Sequence, residues 1–147
     1  MDRPRAARAT AEDVDEIAAL YEDELRRPAD RGRLTDLIAG HPAAVTRGEA
    51  GRLTGFCYCE RWAPDVIEVL NILVDPCEQS RGAGASMLAL VEAESARLGF
   101  AAVVAVNSSL YPPMRHEFRD GTAFYTRNGY RLAFQTAATN VFVKDLR

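Results

Sequence analysis

A β-prone run, Val66 to Val74, ends at Asp75-Pro76 and is followed by Gln79-Ser80-Arg81-Gly82-Ala83-Gly84-Ala85, after which a helical pattern begins. At such a strand-to-helix turn the first amides of the helix have no partner inside it and converge at the positive end of its dipole, which suits an anion. Gly82 and Gly84 would let a phosphate approach the backbone, and Arg81 would add charge at the rim. The same glycines would equally serve a tight turn with no ligand. Spacing removes two phosphate chemistries. A triphosphate loop needs Lys and then Ser or Thr directly after its last glycine, whereas Ala85-Ser86 follow Gly84. A dinucleotide fingerprint needs a third glycine and an acid about 20 residues on, and the strand ending at Val106 carries no acid. What remains is Gln-x-x-Gly-x-Gly.

Other reactive side chains are fewer. Glu68 interrupts an otherwise apolar strand, which marks it as a general base or as the solvated end of that strand. Asn71, further along, would order a water or a substrate amide, or sit as a satisfied buried amide. Cys77 lies at the mouth of the loop with no base assigned beside it, and Cys57 and Cys59, two apart on a strand, share a face and read as core. His41 and His116 are far in sequence from each other and from the cysteines, so no metal site is expected.

Positioning these residues requires an alternation of helices and strands. Thr10 and Asp13 cap a helix whose apolar face holds Val14, Ile17, Ala18, Tyr21 and Leu25 and which Pro28 ends or bends. A weaker helix around Leu34, Leu37 and Ile38 closes at Gly40. Ala43 to Arg47 and Leu53 to Trp62 form a hairpin, and Val66 to Val74 has the two-sided apolar character of a central strand. A helix from the glycine turn to about Leu98 presents Met87, Leu88, Val91 and Leu98, and Phe100 to Val106 is a second buried strand. Strand, helix and strand within about 40 residues make a βαβ crossover between parallel neighbours. After an irregular stretch from Asn107 to Asp120 come a short helix, Thr122 to Asn128, and strands at Tyr130 to Gln135 and Asn140 to Lys144.

The chain is 147 residues long, 48% apolar and 27% charged, with net charge −3. That is one domain, residues 1–147, with a mildly acidic, mixed surface that argues against a nucleic-acid-binding face. The longest apolar run, Phe100 to Val106, is far short of the roughly 20 residues that span a bilayer, so no membrane association is expected. Three cysteines cannot all pair within one chain and no signal peptide is evident, which fits a cytoplasmic setting.

Val74-Asp75-Pro76 with Gln79-x-x-Gly82-x-Gly84, and Phe124-Tyr125-x-x-x-Gly129-Tyr130 downstream, resemble the two motifs of the GNAT superfamily of acetyl-CoA-dependent N-acyltransferases. The opening Arg8-Ala9-Thr10-x-Glu12-Asp13 and the strand order extend the resemblance over nearly the whole chain. It implies an α/β (α+β) fold: a mixed, centrally splayed sheet of six to seven strands with helices on both faces, and acetyl-CoA lying where two central parallel strands part. It further implies that the backbone of Ile72, Leu73 and Val74 binds the pantetheine arm, and that Gln79, Ser80, Arg81, Gly82, Ala83, Gly84 and Ala85 hold the pyrophosphate. Tyr125 matches the tyrosine that protonates the departing thiolate, and Glu68 stands where some members carry a catalytic glutamate. The sequence departs from the pattern in the long stretch 107–125, where Glu117 or Asp120 replaces an asparagine contacting CoA; any cofactor role for Asn107 is therefore weak, and His116 and Glu117 read as exposed loop residues.

The reading is thus an N-acetyltransferase moving acetyl from acetyl-CoA, its co-substrate, directly to a primary amine of a small molecule or peptide. The backbone near Leu73 would stabilise the oxyanion, no metal is required, and a homodimer is compatible. The alternative is a non-catalytic acyl-CoA-binding regulatory or interaction module. The acceptor is not fixed by periodicity, because it depends on 26–42, 107–121 and 135–140.

Overall fold

The computed structural model describes residues 4–79, 81–108 and 121–147. Seven strands form one mixed sheet: β1 (Ala6–Arg8), β2 (Ala43–Arg47), β3 (Leu53–Ala63), β4 (Val66–Val74), β5 (Ala102–Ser108), β6 (Arg131–Gln135) and β7 (Thr139–Asp145). Their spatial order is β1-β2-β3-β4-β5-β7-β6, and every pairing is antiparallel except β4 with β5. Among the described residues there are also four α-helices, α1 (Val14–Leu25), α2 (Arg31–Gly40), α3 (Ala83–Arg97) and α4 (Thr122–Arg127). No helix among the described residues is long and apolar enough to cross a membrane.

The sheet separates two cores. On one face Ile17, Ala18, Leu34, Leu37 and Ile38 of α1 and α2 pack on Val45, Phe56 and Tyr58; on the other, Met87, Leu88 and Val91 of α3 join Cys57, Cys59, Ile67, Val103, Tyr125 and Phe142. The alternation of β3 makes this division: even-numbered Phe56 and Tyr58 face one core, and odd-numbered Cys57 and Cys59 the other. The expected helices, hairpin and parallel crossover are all present.

Three differences from the sequence reading have physical causes. β1 went unseen because three residues carry no period; it is held by pairing with β2 and by Arg8, whose guanidinium donates to the carbonyls of Ile38, His41 and Ala43 and so caps the end of α2. Leu98 is 54% exposed, because α3 ends at Arg97 and the chain turns away. The first helical turn, Ala11–Asp13, is a separate 3₁₀ turn, and the Thr10–Asp13 capping box lies there rather than on α1.

Candidate functional site

The parallel ladder between β4 and β5 has only four rungs, from Val66 opposite Ala102 to Val69 opposite Ala105. Beyond it β4 continues along β3 to Val74, and β5 continues along β7 to Ser108, so the two strands part. The point of parting coincides with a bulge. Tyr58 and Cys59 are consecutive on β3 yet face Asn71 and Val69 on β4, leaving Leu70 as the extra residue. One extra residue reverses the alternation: Ile67 and Val69 face the α3 core before the bulge, Ile72 and Val74 face it afterwards, and Leu73 faces the opposite core.

The backbone of this segment divides the same way. Asp75 donates its amide to Thr54 at 2.8 Å, and the Leu73 carbonyl lies 3.1 Å from where a Cβ on Gly55 would sit, so the polar groups of the odd-numbered residues serve β3. In an antiparallel pair those of the intervening residues point the other way, which aims Ile72 and Val74 into the gap. The Val74 carbonyl there accepts a hydrogen bond from Gln79 Nε2 at 3.1 Å. The Leu73 amide is thus on the β3 side, whereas those of Ile72 and Val74 face the gap.

At the end of the gap the chain makes a 3₁₀ turn, Pro76–Glu78, capped by Asp75, and enters α3 through Gly82, whose φ of 89° is left-handed. The first helical bond is Ser86 N–H to Gly82 carbonyl, which leaves the amides of Ala83, Gly84 and Ala85 without a helical acceptor. Gly84 has a second reason to be glycine: a Cβ there would come within 3.0 Å of the Phe124 ring, so it is the contact through which α4 docks on α3. Arg81 is exposed and paired with Glu78 at 3.2 Å, while Arg52 binds Asp75 at 2.9 Å and holds its carboxyl below the usual carboxylate range. Ser80, His116, Glu117 and Asp120 lie outside the described residues.

Tyr125 sits on α4 in the core on the α3 side. Its ring stacks on Phe142 at 5.1 Å and meets Phe124 and Tyr130 edge-on at 5.2 and 5.5 Å. Gly121 fits between its ring edge and Asn107 Nδ2, each 3.1 Å from where a Cβ would lie, so Asn107, on the diverging end of β5, packs beside the start of α4. The ring below it is fixed as well, since Tyr130 donates to Glu92 at 2.8 Å and Lys144 also binds Glu92 at 2.8 Å.

Glu68 occupies the rung before last of the closed ladder, opposite Glu60 on β3 and Val104 on β5. Alternation with Ile67 and Val69 turns it to the α1/α2 face, the side opposite Tyr125. It is half-buried, and burial first and the Glu60 charge second push its carboxyl above the usual value, while Glu60 is itself held by Arg33 at 3.0 Å. On the same face Asn71 Nδ2 donates to the Tyr58 hydroxyl at 3.3 Å. Tyr58 lines a cavity of about 100 Å³ with Tyr21, Ala29, Asp30, Arg33, Leu34 and Leu37. This cavity had no sequence signal, because its walls come from two helices and a strand that periodicity reads only as core. Cys57 and Cys59 are buried, and their mutual hydrogen bond first and burial second push the Cys59 thiol well up, which suits core residues.

No family model and no curated protein matches the sequence. Among solved structures, a GNAT-family acetyltransferase from Bacillus cereus superposes with a TM-score of 0.78 at 14% identity over 97% of this chain and 96% of that one. A GNAT superfamily phosphinothricin acetyltransferase from Sinorhizobium meliloti, in complex with acetyl-CoA, gives 0.77 at 18% identity over 97% and 88%. The PaiA N-acetyltransferase of Thermoplasma acidophilum, in complex with coenzyme A, gives 0.75 at 12% identity over 97% and 98%. The chain has the GNAT acetyltransferase fold.

Proposed function

We propose that this domain is an acyltransferase that carries acetyl from acetyl-CoA directly to a primary amine of a small molecule or peptide. The observation that carries the reading is the parting of β4 from β5 at the Leu70 bulge, with the first α3 amides, which have no helical acceptor, at one end and Tyr125 beside it. The residues fit such a co-substrate. Ile72 and Val74 offer strand-like hydrogen bonds to a pantetheine arm, with Leu73 anchoring the segment in the opposite core. Gln79, Ser80 and Arg81 would flank the pyrophosphate, and the amides of Gly82 to Ala85 would receive it.

When bound, acetyl-CoA supplies a thioester carbonyl carbon that gains a C–N bond as its C–S bond breaks, so that one proton leaves nitrogen and one reaches sulfur. Glu68, with its carboxyl raised by burial, takes the nitrogen's proton directly or through a water and later returns it to solvent. Tyr125 gives its hydroxyl proton to sulfur and is reprotonated from water. The Ile72 amide, facing the gap, donates to the oxygen on which charge develops. Glu68 and Tyr125 thus act from opposite faces of the sheet through the one opening between β4 and β5.

Thermal melting with acetyl-CoA tests this reading. A hundredfold excess over the dissociation constant should stabilise the fold by about 2.7 kcal/mol, and CoA should be released once an amine is added. An unchanged melting temperature would remove the assignment; stabilisation without release across an amine panel would leave a binding module.

A further inference from the structure

The cavity between α1, α2 and β3 lies on the Glu68 side of the sheet, and Tyr58 in its wall is hydrogen-bonded to Asn71, two residues beyond the last rung of the β4–β5 ladder. It is walled by Ala29, Leu34, Leu37 and the rings of Tyr21 and Tyr58, with Asp30 and Arg33 at its rim. Its volume of about 100 Å³ suits a group of a few heavy atoms. Tyr58 is only 8% exposed, and its ring stacks on Phe56 at 5.8 Å, which fixes where the hydroxyl sits.

That hydroxyl accepts from Asn71, and among the described residues no acceptor takes its own hydrogen. A hydroxyl that lines a cavity with its donor unused can donate to a group placed there. The charged and polar groups that line the cavity with it are Tyr21, Asp30 and Arg33. Arg27 lies over the Tyr21 ring at 5.4 Å, and Arg33 gives one amino group to Glu60 and keeps other N–H groups unassigned. Asp30 is the acid among the lining residues, and one of its oxygens already caps α2 through the Arg33 amide at 3.0 Å. Donors therefore outnumber acceptors around the Tyr58 oxygen.

Resting on the acetyltransferase reading, we propose that this cavity is the acceptor subsite, in which Tyr58, oriented by Asn71, donates to a carbonyl or carboxylate oxygen close to the amine being acetylated. The acceptor is then an amino acid or a peptide, rather than a plain alkyl amine or polyamine. Tyr58 is a specificity-determining contact, and Asn71 a positioning residue.

The experiment measures CoA release at saturating acetyl-CoA with a panel of amino acids, their amides, short peptides and the corresponding decarboxylated amines. The oxygen-bearing acceptors should exceed their decarboxylated counterparts by about 10- to 100-fold in kcat/KM, chiefly through KM, the range expected when a buried donor loses its partner. Tyr58→Phe, which keeps the ring on Phe56, should bring that ratio toward one, and Asn71→Ala should lower it less. A free carboxylate preferred to an amide identifies amino acids; equal use of both identifies peptides. If the ratio is near one in the parent, or unchanged in Tyr58→Phe, the proposal is overturned. If acetyl-CoA raises the melting temperature but no oxygen-bearing acceptor is used, the subsite fails while the co-substrate reading stands. If acetyl-CoA has no effect on melting, the underlying reading itself has failed.

Discussion

The two halves of β4 are built from similar residues and do opposite work. From Val66 to Val69 the strand is paired on both sides, and Ile67 and Val69, with Val103 and Ala105 of β5, are buried against α3. From Leu70 to Val74 it is paired with β3 alone, and the polar groups of Ile72 and Val74 have no strand on their other side. The closed half has its hydrogen-bonding capacity filled and adds stability. The open half has spare capacity and so can hold a ligand as a replacement strand. A single bulged residue separates them: it reverses the alternation, keeps the apolar side chains in the core, and lets β4 follow β3 while β5 follows β7.

The sharpest way to break this contrast is at Gly84, in the first turn of α3 beyond the open half. Gly84→Asp should remove the roughly 2.7 kcal/mol of acetyl-CoA stabilisation at hundredfold excess and, by clashing with Phe124, also lower the stability of the free protein by about 1–3 kcal/mol. Melting curves of Gly84→Ala separate the two effects. It should lower the free protein's melting temperature while keeping a response to acetyl-CoA, and equal behaviour of Ala and Asp would deny the loop its anion.

A cut in the closed half should do the reverse. Ile67→Ala should cost about 2–5 kcal/mol in denaturant unfolding yet leave the acetyl-CoA shift in place, because Ile67 is fully buried away from the gap. Loss of the shift in a folded Ile67→Ala protein would mean that the halves are not separable.

At Tyr125 the contrast is between packing and chemistry on one side chain. Tyr125→Phe keeps the ring on Phe142 and should reduce kcat by about 10 to 10⁴-fold, the lower end allowing for water as substitute acid. Acetyl-CoA affinity should hardly change. Full activity in the Phe variant would leave Tyr125 with packing alone.

The smallest expected effect is at Glu68, in the closed half but beside its end. Its carboxyl is held above the ordinary value of 4.5 by burial and by Glu60. Folding thus favours the protonated form, so the stability this group contributes is present below that ordinary value and is lost as pH rises through the raised one. Glu68→Gln lacks this loss: it should melt slightly above the parent at pH 7, with the difference closing near pH 4. Its kcat/KM should fall at neutral pH and recover partly toward pH 9, as free amine becomes abundant. A variant matching the parent from pH 6 to 9 would make Glu68 a bystander.

Much of this was readable in the chain. The apolar period of Val14, Ile17 and Ala18, the two-sided strand from Val66 and the Gln79-x-x-Gly82-x-Gly84 turn each depend on residues within one or two elements, and local sterics and hydrogen bonding settle such features. Those elements formed as read, and with them the parallel crossover. β1 was invisible because its three residues gain their place only from β2 and from the bonds of Arg8 to distant carbonyls.

What only the tertiary structure decided is where β4 leaves β5, which sheet face each candidate group takes, and that Gly84 is a helix contact as well as a loop glycine. Alternation read along one strand would have put Glu68, Leu70, Ile72 and Val74 on one face; the bulge at Leu70, set by register against β3, moves Ile72 and Val74 to the other. The sequence by itself determined which residues could bind and react, since residue type and local period are properties of neighbours in the chain. Whether they meet at one opening depended on pairing between strands far apart in sequence, where a shift of one residue turns a side chain through the sheet.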